Sequence, residues 1–110
     1  MKNVFPEPIL SLPEVQLPLS DCKGYLFQGV NQQIVFLAFS KDAELPEHTH
    51  AAQWEVVLDG SVEFNLNGEK KVYKKGESFF VPEGVPHSAK ISAGYTAMAF
   101  FDQPDRYKPI

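Results

Sequence analysis

Three histidines are the only imidazoles in the chain: His48, His50 and His87. In His48-Thr49-His50 two rings sit two residues apart, so an extended strand turns both to one face. Neutral imidazole is the commonest protein ligand for zinc, iron, copper and nickel. Gln53 and Glu55 follow with the same parity as each other, and a bulge or bend at Ala51-Ala52 would bring them onto the histidines' face. His87 comes much later, behind the rigid turn Val81-Pro82-Glu83-Gly84-Val85-Pro86. A lone histidine is ordinarily a surface or hydrogen-bonded core residue. Here all three fall in motif-like contexts, and the expectation is that they converge on one divalent transition metal ion inside a small β-barrel. Nitrogen-plus-oxygen ligation suits Fe, Mn, Ni, Zn or Cu without choosing among them.

The elements that must position these residues are short strands. At 110 residues the chain is long enough for one core and too short for a second domain. Turn signals recur about every 8–12 residues and no window holds a sustained helical period, which is the signature of an all-β sandwich or barrel. Strands are expected over 23–30, 33–40, 48–58, 61–66, 69–75, 78–81, 87–91 and 95–101. Residues 41–47 read as a polar connection, and Asn67-Gly68 as a two-residue hairpin turn. Pro6, Pro8, Pro13 and Pro18 argue against a helix near the N-terminus, while Leu10, Leu12, Val15, Leu17 and Leu19 want a surface to pack on. Residues 1–22 therefore form a Pro-rich arm that covers a sheet edge or reaches a second subunit, and 23–110 form the barrel.

Composition narrows the partners. The formal charge is −4 with a pI near 5.3, which argues against nucleic acid and against an anionic membrane surface. The basic cluster Lys70, Lys71, Lys74 and Lys75 flanks the Asn-Gly turn and reads as a solvated hairpin. No apolar run is long enough for a membrane helix or a signal peptide, and the single cysteine, Cys22, suits a reducing, cytoplasmic setting. There is no Gly-rich phosphate loop and no Ser-His-Asp or Cys-His arrangement. Trp54 has the opposite parity to Gln53 and Glu55, so it belongs outside the barrel, and Tyr95 is a candidate substrate-facing hydroxyl.

With these residues placed, the chain resembles the cupins, and in particular the small single-domain cupin 2 type of bacteria. The second family motif reads here as Gly76, five residues, Pro82-Glu83-Gly84, two residues, His87, with Ile91 where the family has Asn. The first is carried by His48-Thr49-His50 and Gly60, with Asp42 in place of the leading Gly. The likeness covers about residues 32–102, with a motif core over 42–91. It implies a jelly-roll barrel (a double-stranded β-helix) with the metal inside, a homodimer, and a small-molecule ligand or substrate at the mouth. The motif's carboxylate position is shared between two residues. Glu55 has the right spacing from His50 and Gln53 the right spacing to Gly60. Many small cupins use Gln there, which favours Gln53 as the fourth ligand with Glu55 as the alternative. If Gln53 binds, Glu55 is either a general base in the cavity or a group turned away from the metal. The family's chemistry, and hence the implied activity, spans oxygenase, isomerase and lyase types. A non-catalytic binding or sensing module is the other reading.

Overall fold

The computed structural model of the chain describes residues 5–110, so the first four residues of the arm lie outside it. The described residues form one short helix, α1 (Glu7–Leu10), and nine strands: β1 (Cys22–Gln28), β2 (Gln33–Phe39), β3 (Ala43–His48), β4 (Gln53–Asp59), β5 (Ser61–Leu66), β6 (Glu69–Lys74), β7 (Ser78–Val81), β8 (His87–Ile91) and β9 (Thr96–Phe101). All pairings are antiparallel. One sheet has the order β1-β2-β9-β4-β7 and the other β3-β8-β5-β6, so all connections except the β1–β2 and β5–β6 hairpins cross between layers in jelly-roll fashion. Among the described residues no helix is long and apolar enough to cross a membrane.

Alternation decides which side chains enter the interior. Val35, Leu37 and Phe39 on β2, Val62 and Phe64 on β5, and Ala97, Ala99 and Phe101 on β9 are buried together. On β4 the inward positions are Gln53, Glu55 and Val57, so two polar residues occupy places where the pattern elsewhere puts apolar ones. In register, Glu55 lies opposite Ala99, whose methyl leaves that part of the interior to the carboxylate. Trp54 points outward at 42 % exposure, as its parity requires. Asn67 and Gly68 both take positive φ, 51° and 88°, and close the β5–β6 hairpin. The lysines of β6 face solvent.

Three expectations fail here. Residues 41–47 were read as a connection, but Ala43–His48 is a strand paired with β8. It lies at the edge of its sheet, where Pro46 and the charges of Glu44 and Glu47 are tolerated, and this is why its composition hid it. The expected continuous strand over 48–58 is broken. β3 ends at His48, residues 49–52 cross between the sheets, and β4 starts at Gln53. Near the N-terminus, proline does not prevent helix formation. Pro8 sits in the first turn of α1, where its missing N–H has no helical partner in any case.

Gly60 ties the two halves of the structure together. Its φ is +75°, and a Cβ built there would lie 2.8 Å from the Cα of Tyr95. Gly76 also has positive φ, +88°, but open space where its side chain would be. Gly60→Ala should therefore cost about 2–3 kcal/mol and Gly76→Ala only about 1 kcal/mol. Urea unfolding of the two variants checks this, and equal losses would show that the approach to Tyr95 is not a constraint.

Candidate metal centre

The three histidines reach one point from three different local settings. His48 ends β3 and pairs in register with His87, the first residue of β8. His50 comes from the crossover, not from a strand shared with His48, so the shared-face argument does not explain the pair; the break at 49–52 does. A bulge between Leu45 and His48 turns the end of β3 inward. One ligand nitrogen from each ring lies within 4.8 Å of the others.

Each ring is held by its Nδ1. His48 Nδ1 bonds the carbonyl of Pro46 at 2.8 Å, His50 Nδ1 that of Ala51 at 2.7 Å, and His87 Nδ1 that of Val85 at 2.9 Å. A carbonyl oxygen only accepts, so every Nδ1 carries the proton and donates. In the neutral ring Nε2 is then a lone pair. The Nε2 atoms of His50 and His87 face each other at 3.0 Å. Two lone pairs at that distance repel unless a cation lies between them. Two nitrogens each about 2.1 Å from a metal are about 3.0 Å apart at a right angle and about 3.4 Å apart at a tetrahedral one. The donor set therefore fits a divalent transition ion. Phe101 meets the His50 ring edge-on at 5.5 Å, and Phe64 stacks on His87 at 5.7 Å, fixing the ring planes.

Burial favours the neutral form of His50 and His87. Desolvation lowers the pKa of His50 to about 4 and also lowers that of His87; the backbone hydrogen bonds at Ala51 and Val85 oppose this, and the positive charge of Arg106 assists it. Gln53 and Glu55 are both 7 % exposed and line the same cavity as the histidines. Gln53 Nε2 donates to Glu55 Oε1 at 2.8 Å, and the Tyr95 hydroxyl donates to Glu55 Oε2. Both oxygens of Glu55 are thus engaged by protein donors, and its carboxylate lies outside the three-histidine group. Burial raises the pKa of Glu55, against the two hydrogen bonds that lower it, and raises that of Tyr95 as well. Tyr95 is 1 % exposed and turns to Glu55 rather than to an open mouth.

The cavity holds about 60 Å³. One water needs roughly 10–15 Å³ of such space, so there is room for an ion with a few small ligands and not for a large aromatic. Two of its lining residues, Arg106 and Tyr107, come from the tail after β9, which the sequence marks only as polar and broken by proline. The available signal was Arg106 itself, the single arginine beside nine lysines. A larger hollow of about 510 Å³ lies against the arm and β1, away from the imidazoles, and is lined by Phe5, Asp21 and Tyr25 among others.

Two antiparallel sheets closed over three inward imidazoles define a jelly-roll domain with a candidate metal site. The family model described as Cupin domain matches residues 35–102, and the chain belongs to the cupin family. It is 32 % identical over 71 residues to quercetin 2,3-dioxygenase of Bacillus subtilis (strain 168), a match that covers 63 % of this chain and 21 % of that protein. The chain spans less than half the length of the curated relatives it matches. Among solved structures, an RmlC-like cupin from Shewanella frigidimarina superposes with a TM-score of 0.74 at 30 % identity, covering 86 % of each chain. KdgF from Halomonas sp. superposes with a TM-score of 0.71 at 22 % identity over 83 % of this chain and 87 % of that one, a likeness of fold.

The lowered imidazole pKa values have a consequence for the metal-free protein. Unfolded histidine takes up its proton near pH 6.5, whereas His50 in the fold does so only near pH 4. Between these values the unfolded chain binds more protons, so His50 removes stability as the pH falls through this range. Glu55, with its raised pKa, acts in the opposite direction. The comparison of wild type with His50→Gln therefore isolates the imidazole: acidification from about pH 7 to about pH 5 should destabilise the wild type more than the variant. Urea midpoints of chelator-treated protein check it, and parallel curves would show that His50 titrates normally.

Proposed function

We propose that this chain is a small metal-dependent cupin enzyme that acts on a small polar metabolite held against the ion. The observation that carries the reading is the convergence of three Nε2 lone pairs, each fixed by an Nδ1 bond to a backbone carbonyl. Gln53 supplies the fourth donor. Its Nε2 is committed to Glu55, which leaves its amide oxygen as the free atom. Glu55, with both oxygens engaged, orients Gln53 rather than acting as a general base or ligand. When bound, a divalent ion supplies a Lewis acid with open positions. Three neutral imidazoles and a neutral amide leave its full charge in place. The likeness to a dioxygenase favours oxygen-dependent chemistry among the family's reaction types, and the 60 Å³ cavity restricts the substrate to a few heavy atoms.

Elemental analysis should find about one transition ion per chain in the native protein and none in His48→Ala/His87→Ala; equal metal in both would refute the centre. Protein loaded with Fe(II), Mn, Ni or Zn is then assayed against small acids and small hydroxy compounds. Turnover should be lost in His50→Ala and kept in Lys70→Ala. Tight binding without turnover under every metal would instead identify a binding or sensing module.

We also infer that the chain forms a homodimer through the outer face of the five-stranded sheet. Phe27, Ile34, Phe100, Trp54 and Phe80 are successive register partners across all five strands and form one uncharged row. Phe27 and Phe80 are each 56 % exposed. A second copy can lie on this row without burying a charge, which suits a self-complementary contact. Sedimentation should give a dimer for the wild type and a monomer for Trp54→Glu/Phe80→Glu; a monomeric wild type at about 100 µM would exclude it.

A further inference from the structure

Arg106 is the single arginine of the chain and lines the cavity that holds the three histidines. Among the described residues it makes no hydrogen bond and no ion pair, and its Nε is buried without a partner. A buried cationic donor left unpaired is costly, and native structures rarely keep one without a use. Among the described residues no carboxylate oxygen lies within ion-pair distance of its guanidinium nitrogens. The guanidinium lies 4.9 Å from the centre of the Tyr107 ring and 5.8 Å from that of Phe101. Aromatic rings hold the cation by its faces and leave the in-plane N–H fork free.

The position is built. Gln33 on β2 is 1 % exposed, and its side chain clamps the backbone of Tyr107: Nε2 donates to the Tyr107 carbonyl and Oε1 accepts from the Tyr107 N–H, both at 2.9 Å. The residue next to Arg106 is therefore fixed from within the barrel. Arg106 lines the same cavity as His48, His50 and His87, which places it on the histidine side of the tail.

We propose that Arg106 is the carboxylate-binding group of this cavity and that the molecule held opposite the histidines is a small carboxylate. This rests on the metal-centre reading above. A planar fork that is neutralised by nothing in the protein matches a carboxylate with two parallel hydrogen bonds, and a cavity of about 60 Å³ selects a molecule of a few heavy atoms. The ion and the guanidinium together make a site with two positive ends, which an uncharged sugar or alcohol would leave unmatched.

Because the chain has one arginine, its Nε–H gives a single, self-identifying cross-peak in the nitrogen-15 spectrum. Zinc-loaded and metal-free protein are titrated with glycolate, formate, inorganic phosphate and the neutral control glycolamide. Glycolate should move the Arg106 peak to saturation in the zinc-loaded protein while glycolamide does not. Arg106→Gln should weaken glycolate binding at least tenfold, Arg106→Lys by less, with zinc uptake unchanged in both. A peak that no carboxylate moves, a response to phosphate alone, or unchanged glycolate affinity in Arg106→Gln overturns the proposal. Should a variant fail to fold, the wild-type peak still decides. Zinc uptake without a shift refutes the Arg106 assignment and spares the metal centre; a glycolate shift in a protein that takes up no zinc does the reverse.

Discussion

Three backbone carbonyls, those of Pro46, Ala51 and Val85, set the direction of every imidazole lone pair in the barrel. Each accepts an Nδ1–H, fixes the tautomer and leaves Nε2 aimed inward. Packing against Phe101 and Phe64 holds the planes of His50 and His87, and these bonds decide which nitrogen faces the cavity. All three carbonyls belong to segments that have left regular pairing or are about to: the bulged end of β3, the crossover before β4 and the turn before β8. Irregular backbone is what exposes the acceptors, because a carbonyl inside a ladder is already used. The irregularity of the fold and the order of the site thus have one origin.

A second polar group sits behind the imidazoles. The Gln53–Glu55–Tyr95 chain is buried within a largely apolar interior, and each buried oxygen of Glu55 has a donor. Such a network is tolerable only because it is satisfied. It also depends on the chain turn at Gly60, whose Cα packs against the Tyr95 backbone and so sets where the phenol starts. Position 60 is far from the histidines in role, yet it stands at the end of a short relay of contacts through Tyr95 and Glu55 to Gln53.

Much of this was legible in the sequence because it rests on local rules. Period-2 alternation found the strands of the core, Asn67-Gly68 announced its hairpin, and parity sent Trp54 outward. The three histidines were legible as a group because no others exist. What failed were the features decided by sheet position. Ala43–His48 has the composition of a loop, and only its place at an edge makes it a strand. The crossover at 49–52 could be suspected from Ala51-Ala52 as a bulge, but a change of sheet is a long-range event that spacing does not encode. Arg106 escaped for the same reason. Its partner in position is Gln33, 73 residues away in sequence from Arg106, and a clamp of that span leaves no local trace.

The crossover between β3 and β4 has a mechanical meaning. His48 and His87 belong to the four-stranded layer, while Gln53 belongs to the five-stranded one, and His50 hangs on the segment between them. An ion held by the three imidazole nitrogens and by the proposed amide oxygen of Gln53 would span both layers and act as a rivet between them. Elsewhere the two sheets are joined by apolar contact and by the crossovers of the chain itself. Such a tie restrains the two layers at one point, and its occupancy would by mass action add directly to the stability of the folded barrel. The same ion would then serve as reagent and as fastening, so that loss of the metal loosens the frame that the chemistry needs.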